Sequence, residues 1–327
     1  DVSGTAWSFS ALRVEDRPLR HALAAAAIAR RPAFNGQDIA NTSWAFAARG
    51  FADRPLLDAI AAASVAKIAE FGAPELSGTA SAVADLGVGH CQDLALPAWS
   101  FAALGIADLP LLQAISASSI PRMSEFGSQN LSNTSWALSN LQVHDVPLLN
   151  AISAQSLAII PVFDAQNMAN TAWSYAKLAV EDLTLLAAIA AAAIHKITDF
   201  HAQEVANIAW SFAALMFTDA PLLDALSAAA LRKLPDFDAQ HLANTPWAWA
   251  ALALRDAPLL DALASQALRT IGDYTMQELS NTAWACATLL DHNQPLLESI
   301  ASASRPRLEA ELRRAVSRAS SAGVARR

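Results

Sequence analysis

Residues 133–152 read NTSWALSNLQVHDVPLLNAI, and the phrase returns as NTAWSYAKLAVEDLTLLAAI at 170–189 and NTAWACATLLDHNQPLLESI at 281–300. A phrase that returns at a fixed interval marks a repeating structure, so the period is established before any local element. Eight of the nine tryptophans stand in register, at Trp7, Trp44, Trp99, Trp136, Trp173, Trp210, Trp247 and Trp284, with Trp249 outside it. Every step from Trp99 onward is 37 residues, and so is the step from Trp7 to Trp44. The step of 55 between Trp44 and Trp99 contains LSGTASAVADL at 76–86, which keeps the pattern with Ser81 in place of tryptophan. Two full periods would take 74 residues, so 19 are missing, and the chain counts nine units with one broken near 76–98.

Other columns keep the same period. Phe34, Phe71, Phe126, Phe163, Phe200, Phe237 and Tyr274 lie ten residues before the anchor position. Gln37, Gln129, Gln166, Gln203, Gln240 and Gln277 lie seven before it. Asn41, Asn133, Asn170, Asn207, Asn244 and Asn281 lie three before it, and Asp16, Asp53, Asp108, Asp145, Asp182, Asp219 and Asp256 nine after it. Each unit therefore predicts two helices. Helix A runs from about the Gln to the Leu five residues after the anchor. Helix B starts in the D-x-P-L-L phrase, where Asp caps free N–H groups and Pro suits the first turn, and it ends before the Phe. A helix pair this short cannot bury its apolar face alone, so the units must stack. The predicted fold is all-α, an α-solenoid of about nine 37-residue helix pairs over residues 1–304, followed by a basic helix or tail at 305–327.

Composition agrees with this reading and excludes others. The chain is 54% apolar through its alanine and leucine, with two Tyr and 11 Gly, which favours helix over strand. No apolar run reaches the roughly 20 residues that span a bilayer, so no membrane partner is expected. Two cysteines, Cys91 and Cys286, make no disulfide framework and suit a reducing compartment. The formal charge of −8 is uneven: residues 305–327 carry seven Arg against two Glu, or +5, which leaves −13 for residues 1–304. An acidic body weighs against general nucleic-acid affinity, because phosphate neutralisation dominates such binding.

Nothing in the chain spells an enzyme. The seven histidines, His21, His90, His144, His195, His201, His241 and His292, lack metal-ligand spacing. His90 beside Cys91 is an isolated pair, and no Gly-rich phosphate loop is present. No catalytic or metal-binding residue is assigned, and neither a cofactor nor a small-molecule substrate is expected.

At 100° per residue, positions −5, −4, −2, −1, +2, +3 and +5 from the anchor form one broad apolar arc of helix A. Cys286 falls on it as a small buried hydrophobe. The opposite arc gathers the Gln (−7), a changing residue (−6), the Asn (−3), Ala or Ser (+1) and a second changing residue (+4). The −6 column reads Asp38, Glu75, Asn130, Asn167, Glu204, His241 and Glu278, and is expected at the surface. The +4 column includes Asp85, Asn140, Lys177 and Thr288. An amide frame with variable side chains between is what a modular reader of a polymer needs, since amides both donate to and accept from base edges. The other reading of the same amides is a structural ladder that satisfies neighbouring backbone groups.

A basic column follows 23 residues after the anchor: Arg30, Lys67, Arg122, Lys196, Lys233 and Arg307. It reads either as cations at negative helix ends or as a phosphate-tracking stripe, with Lys67, Arg122, Lys196 and Lys233 as contacts.

FDAQNMANTAWSYAKLAVEDLTLLAAIAAAAI and FDAQHLANTPWAWAALALRDAPLLDALASQAL resemble octotricopeptide repeats, which are similar to the helical repeats of FAST-kinase-like, RAP-domain proteins. The resemblance covers residues 1–304 and departs from the family in unit length, in the broken unit, in acidity and in the missing C-terminal RAP-type domain. It implies sequence-selective binding of single-stranded RNA by helix A, in processing, stability or translation of RNA in a mitochondrion or chloroplast. The residues it points to are Asn41, Asn133, Asn170, Asn207, Asn244, Asn281, Asn130, Asn167, Glu204, His241, Asn140 and Lys177. A protein–protein scaffold using the same face is the alternative.

Overall fold

A computed structural model describes residues 2–11, 16–47, 53–67, 109–289 and 293–324. The broken unit at 76–98, with Glu75, Asp85, His90 and Cys91, lies outside the described residues. Among the described residues the chain is helical throughout, with no strand. The helices are α1 (Val2–Ala11), α2 (Arg17–Arg30), α3 (Gly36–Ala47), α4 (Arg54–Lys67), α5 (Leu109–Ser119), α6 (Ser128–Asn140), α7 (Val146–Ile159) and α8 (Ala165–Lys177). They continue as α9 (Leu183–His195), α10 (Ala202–Ala214), α11 (Ala220–Lys233), α12 (Ala239–Ala251), α13 (Ala257–Thr270), α14 (Met276–Thr288) and α15 (Gln294–Val324).

The fold is thus the all-α helical-repeat solenoid that the period predicts. The chain divides into two compact units, residues 1–192 and 193–327. In the first, helix A packs on helix A (α1 on α3, α6 on α8), and helix B on helix B (α2 on α4, α4 on α5). In the second, α10, α12 and α14 form the A row, and α11, α13 and α15 the B row.

Both ends of each helix are set by short-range chemistry. Before α7, α9, α11 and α13 an Asp carboxylate accepts a backbone N–H three residues on: Leu148 to Asp145 at 3.0 Å, Leu185 to Asp182 at 2.9 Å, Leu222 to Asp219 at 3.0 Å, Leu259 to Asp256 at 3.1 Å; before α15 Asn293 does the same for Leu296 at 3.2 Å. Such a cap contributes about 1 kcal/mol. After helix B a 3₁₀ turn such as Leu234–Asp236 brings in the aromatic of the Phe column. Phe126, Phe163, Phe200, Phe237 and Tyr274 are all buried. Helix A ends in a left-handed residue, six positions after the tryptophan: Gln142, Ala179, Met216 and Ala253 have φ between 51° and 57°. The next N–H then reaches back across the turn, as from Val180 to the Tyr175 carbonyl at 2.9 Å and from Leu254 to the Trp249 carbonyl at 2.8 Å. None of these four is glycine, so each bears a conformational cost of about 1 kcal/mol. The last helix begins as a helix B and runs on through Pro306 to Val324, taking most of the basic segment into the same helix.

Candidate nucleic-acid interface

Helix A starts one residue before the Gln, as in α8, where Asp164 is the cap and Ala165 the first residue. That shift makes the −6 residue the third of the helix, where a side chain reaches back to the cap's own N–H. It does so in five units. Asp38 accepts from the Asn35 N–H (3.1 Å), Asn130 from Gly127 (3.1 Å), Glu204 from His201 (2.9 Å), His241 Nδ1 from Asp238 (3.3 Å) and Glu278 from Thr275. Asn167 is the exception: its Oδ1 accepts from Ser132 Oγ at 2.9 Å and its Nδ2 donates to Ser128 Oγ at 3.3 Å, tying α8 to α6. The −6 column is therefore not the exposed reader position that its variability suggested. Asn167 and Glu204 are buried, at 6% and 9% exposure, and Asn130 and His241 half-buried. Burial holds the His241 imidazole below its ordinary pKa, against the opposing pull of the Asp238 and Glu204 carboxylates. The +1 column is corrected in the same direction, since Ala137, Ser174, Ser211, Ala248 and Ala285 are buried.

What stays open on helix A is a narrower stripe. Gln129, Gln166, Gln203, Gln240 and Gln277 are exposed. Asn41, Asn170, Asn207, Asn244 and Asn281 are half-buried, and Asn133 is 7% exposed. Next along the stripe stand the tryptophans. Trp136, Trp173, Trp210 and Trp247 are half-buried and Trp284 is 45% exposed. The +4 residues complete it, with Asn140 and Lys177 half-buried and Ala214 and Thr288 exposed. The tryptophans were not among the sequence candidates. The signal was present: positions −7, −3, 0 and +4 lie within about 60° on the wheel, while −6 and +1 lie at about 100–120° from the tryptophan.

The indoles form a row. In the second unit, Trp210 and Trp247 stack with ring centroids 6.2 Å apart at 28°, and Trp247 and Trp284 stand 5.9 Å apart at 35°. In the first, Lys177 Nζ lies 4.5 Å over the Trp173 ring and donates to Asn140 Oδ1 at 3.0 Å, joining two neighbouring +4 residues. Burial lowers the pKa of this ammonium. The ladder reading of the amides finds no support in Asn170, Asn207 and Asn244, whose side chains make no hydrogen bond among the described residues and whose amide atoms are not sealed from water.

Two members of the basic column, Lys67 and Arg307, are tied to backbone carbonyls, close to the helix-end reading of that column. Lys67 Nζ donates to the Pro32 carbonyl at 3.1 Å and to that of Phe34, in the turn of the preceding unit. Arg307 does the same to the carbonyls of Gly272 (2.8 Å) and Tyr274. Where Ile159 replaces the cation, Gln155 one turn earlier donates to the Phe126 carbonyl at 3.4 Å. Arg122 pairs with Glu125 at 3.0 Å. Lys196 and Lys233 are half-buried at the ends of α9 and α11.

Among the described residues no cluster of His, Cys, Asp and Glu is arranged to hold a metal, and no helix is long and apolar enough to cross a membrane. Cys286 is buried and forms no disulfide among the described residues. The class these features define is a helical-repeat protein whose A helices, in each unit, carry a polar and aromatic stripe. The family model for RNA-editing substrate-binding complex 6 protein matches residues 89–220 and again 184–317, and the chain belongs to that family. It is in this sense an RNA-associated helical-repeat protein. No curated protein matches the chain.

Proposed function

We propose that the protein binds single-stranded RNA sequence-selectively along the Gln–Asn–Trp stripe of its A helices, as a non-catalytic member of an RNA-editing complex that also includes protein partners. The single observation that carries this is the stripe itself: amides with unspent hydrogen-bonding groups beside a row of indoles. Unpaired bases take amide hydrogen bonds on their edges and stack on aromatic rings, whereas the bases of a duplex offer neither opportunity to a flat helix face. The likeness of the repeat to octotricopeptide units and the family's name both support RNA as the polymer. An organelle, mitochondrion or chloroplast, is the compartment that the same resemblance favours.

Retention on a randomised single-stranded RNA pool at two salt concentrations tests this, with double-stranded DNA as control. Salt-sensitive enrichment of a short motif is the expected result. No retention at low salt rejects it. Replacing Lys196 and Lys233 together by Glu is expected to weaken binding and to lower the salt slope, by about 0.7 for each phosphate that is no longer neutralised.

The −13 charge of residues 1–304 and the engagement of Lys67 and Arg122 within the protein favour a second reading, a scaffold for a basic protein partner. Pull-down of a partner that survives nuclease treatment, with no RNA retained by the purified chain, is the outcome that would select it.

A further inference from the structure

The geometry points to a single nucleobase site at the end of the A row, made by Trp284, Asn281 and Gln277, and this rests on the RNA-binding reading above. Along the row, Trp247 has an indole on either side, Trp210 at 6.2 Å and Trp284 at 5.9 Å. Rings this close are already in van der Waals contact, so a base entering between them would have to prise two helices apart. Trp284 is the last of the row. Trp247 lies beside it at 5.9 Å, and 45% of the residue is exposed, the most of any tryptophan whose side chain is described.

The amides beside it are oriented for the same task. Gln277 Nε2 donates to Asn281 Oδ1 at 2.8 Å, one turn apart on the exposed stripe. That bond restrains both side chains and leaves Gln277 Oε1 as an acceptor and Asn281 Nδ2 as a donor. A base's Watson–Crick edge offers a donor and an acceptor that such groups can meet. The pairs Gln129–Asn133, Gln166–Asn170, Gln203–Asn207 and Gln240–Asn244 are not joined in this way. The site therefore combines a stacking platform with a pre-oriented amide pair, and its ligand is an unpaired base of single-stranded RNA.

The test is fluorescence anisotropy of the full chain with a labelled oligouridylate, and with an abasic ribose-phosphate oligomer of equal length. Trp284→Ala is expected to bind the oligouridylate about tenfold more weakly than the wild type, and Trp284→Phe within about threefold. On the abasic oligomer all three should bind alike. Equal binding of wild type and Trp284→Ala to the oligouridylate overturns the site alone. An equal loss on both oligomers overturns it as well, because the indole would then support the fold and not a base. A wild-type chain that binds neither oligomer overturns the RNA reading and this site with it, leaving a protein as the partner of the exposed indole.

Discussion

The A row and the B row repeat with the same period and carry recurrent polar residues of similar regularity, yet they use them differently. In the B row the recurrent groups are consumed by the fold. Asp182 caps its own helix and also accepts from Ser153 Oγ of the preceding unit at 2.5 Å. Asp256 does the same with Leu259 and Ser227. Lys67 and Arg307 hold the carbonyls of the turn before them. In the A helices the −6 residues of the first turn are spent in this way on capping bonds, while the amides of Asn170, Asn207 and Asn244 make no side-chain hydrogen bond among the described residues. Recurrence is thus common to fold and function, and what separates them is whether a polar group already has its partner.

This contrast can be broken most directly at the caps. Asp182→Ala removes both the N-cap and the bond to Ser153, and is expected to lower stability by about 2 kcal/mol in urea unfolding, while Gln166→Ala, on the open stripe, changes it by less than about 0.5 kcal/mol. Equal losses from the two would erase the distinction between the rows. Lys67→Met keeps the aliphatic stem but abandons the carbonyls of Pro32 and Phe34, a loss of about 1 kcal/mol. A thermal melt indistinguishable from wild type would return Lys67 to the phosphate candidates.

A change of the opposite sign is expected at the end of helix A. Ala253 sits at φ 55°, where glycine bears no steric cost, so Ala253→Gly should stabilise by up to about 1 kcal/mol, less what the freer unfolded chain takes back. Destabilisation in the same urea titration would mean that the packing of the Ala253 methyl group outweighs its backbone strain.

The smallest effect concerns pH. His241 titrates below its ordinary 6.5 because burial disfavours the charged ring. The unfolded chain therefore binds the proton more readily. The contribution of His241 is present above the unfolded pKa and is lost as pH falls through the folded one. His241→Asn substitutes the residue found at the same position in Asn130, which accepts the same kind of bond from Gly127. It should leave stability near pH 7.5 unchanged and flatten the decline below about 6.5. An unaltered pH profile would show that another group sets that slope.

The helix pairs, their lengths and the all-α class were legible because they follow from local signals that repeat: Asp before Pro-Leu-Leu, the buried Phe and the apolar arc. The candidate site was legible only in part. Asn281, Asn207 and Lys177 do lie on the open stripe, but Asn130, Glu204 and His241 turn back to their own helix ends, and Trp284 was not among the candidates. The difference comes from one residue of phase. The sequence shows that a position varies, not whether a cap three residues earlier has an N–H to satisfy.

What the amino-acid sequence determined by itself is the period of 37, the two helices in each period and the need for neighbours to stack, since no pair buries its own apolar face. Only the tertiary structure decided which polar groups remain unspent. A hydrogen-bond partner 29 to 39 residues away, such as Asp182 for Ser153 or Ser128 for Asn167, comes within reach only when one unit is laid on the next.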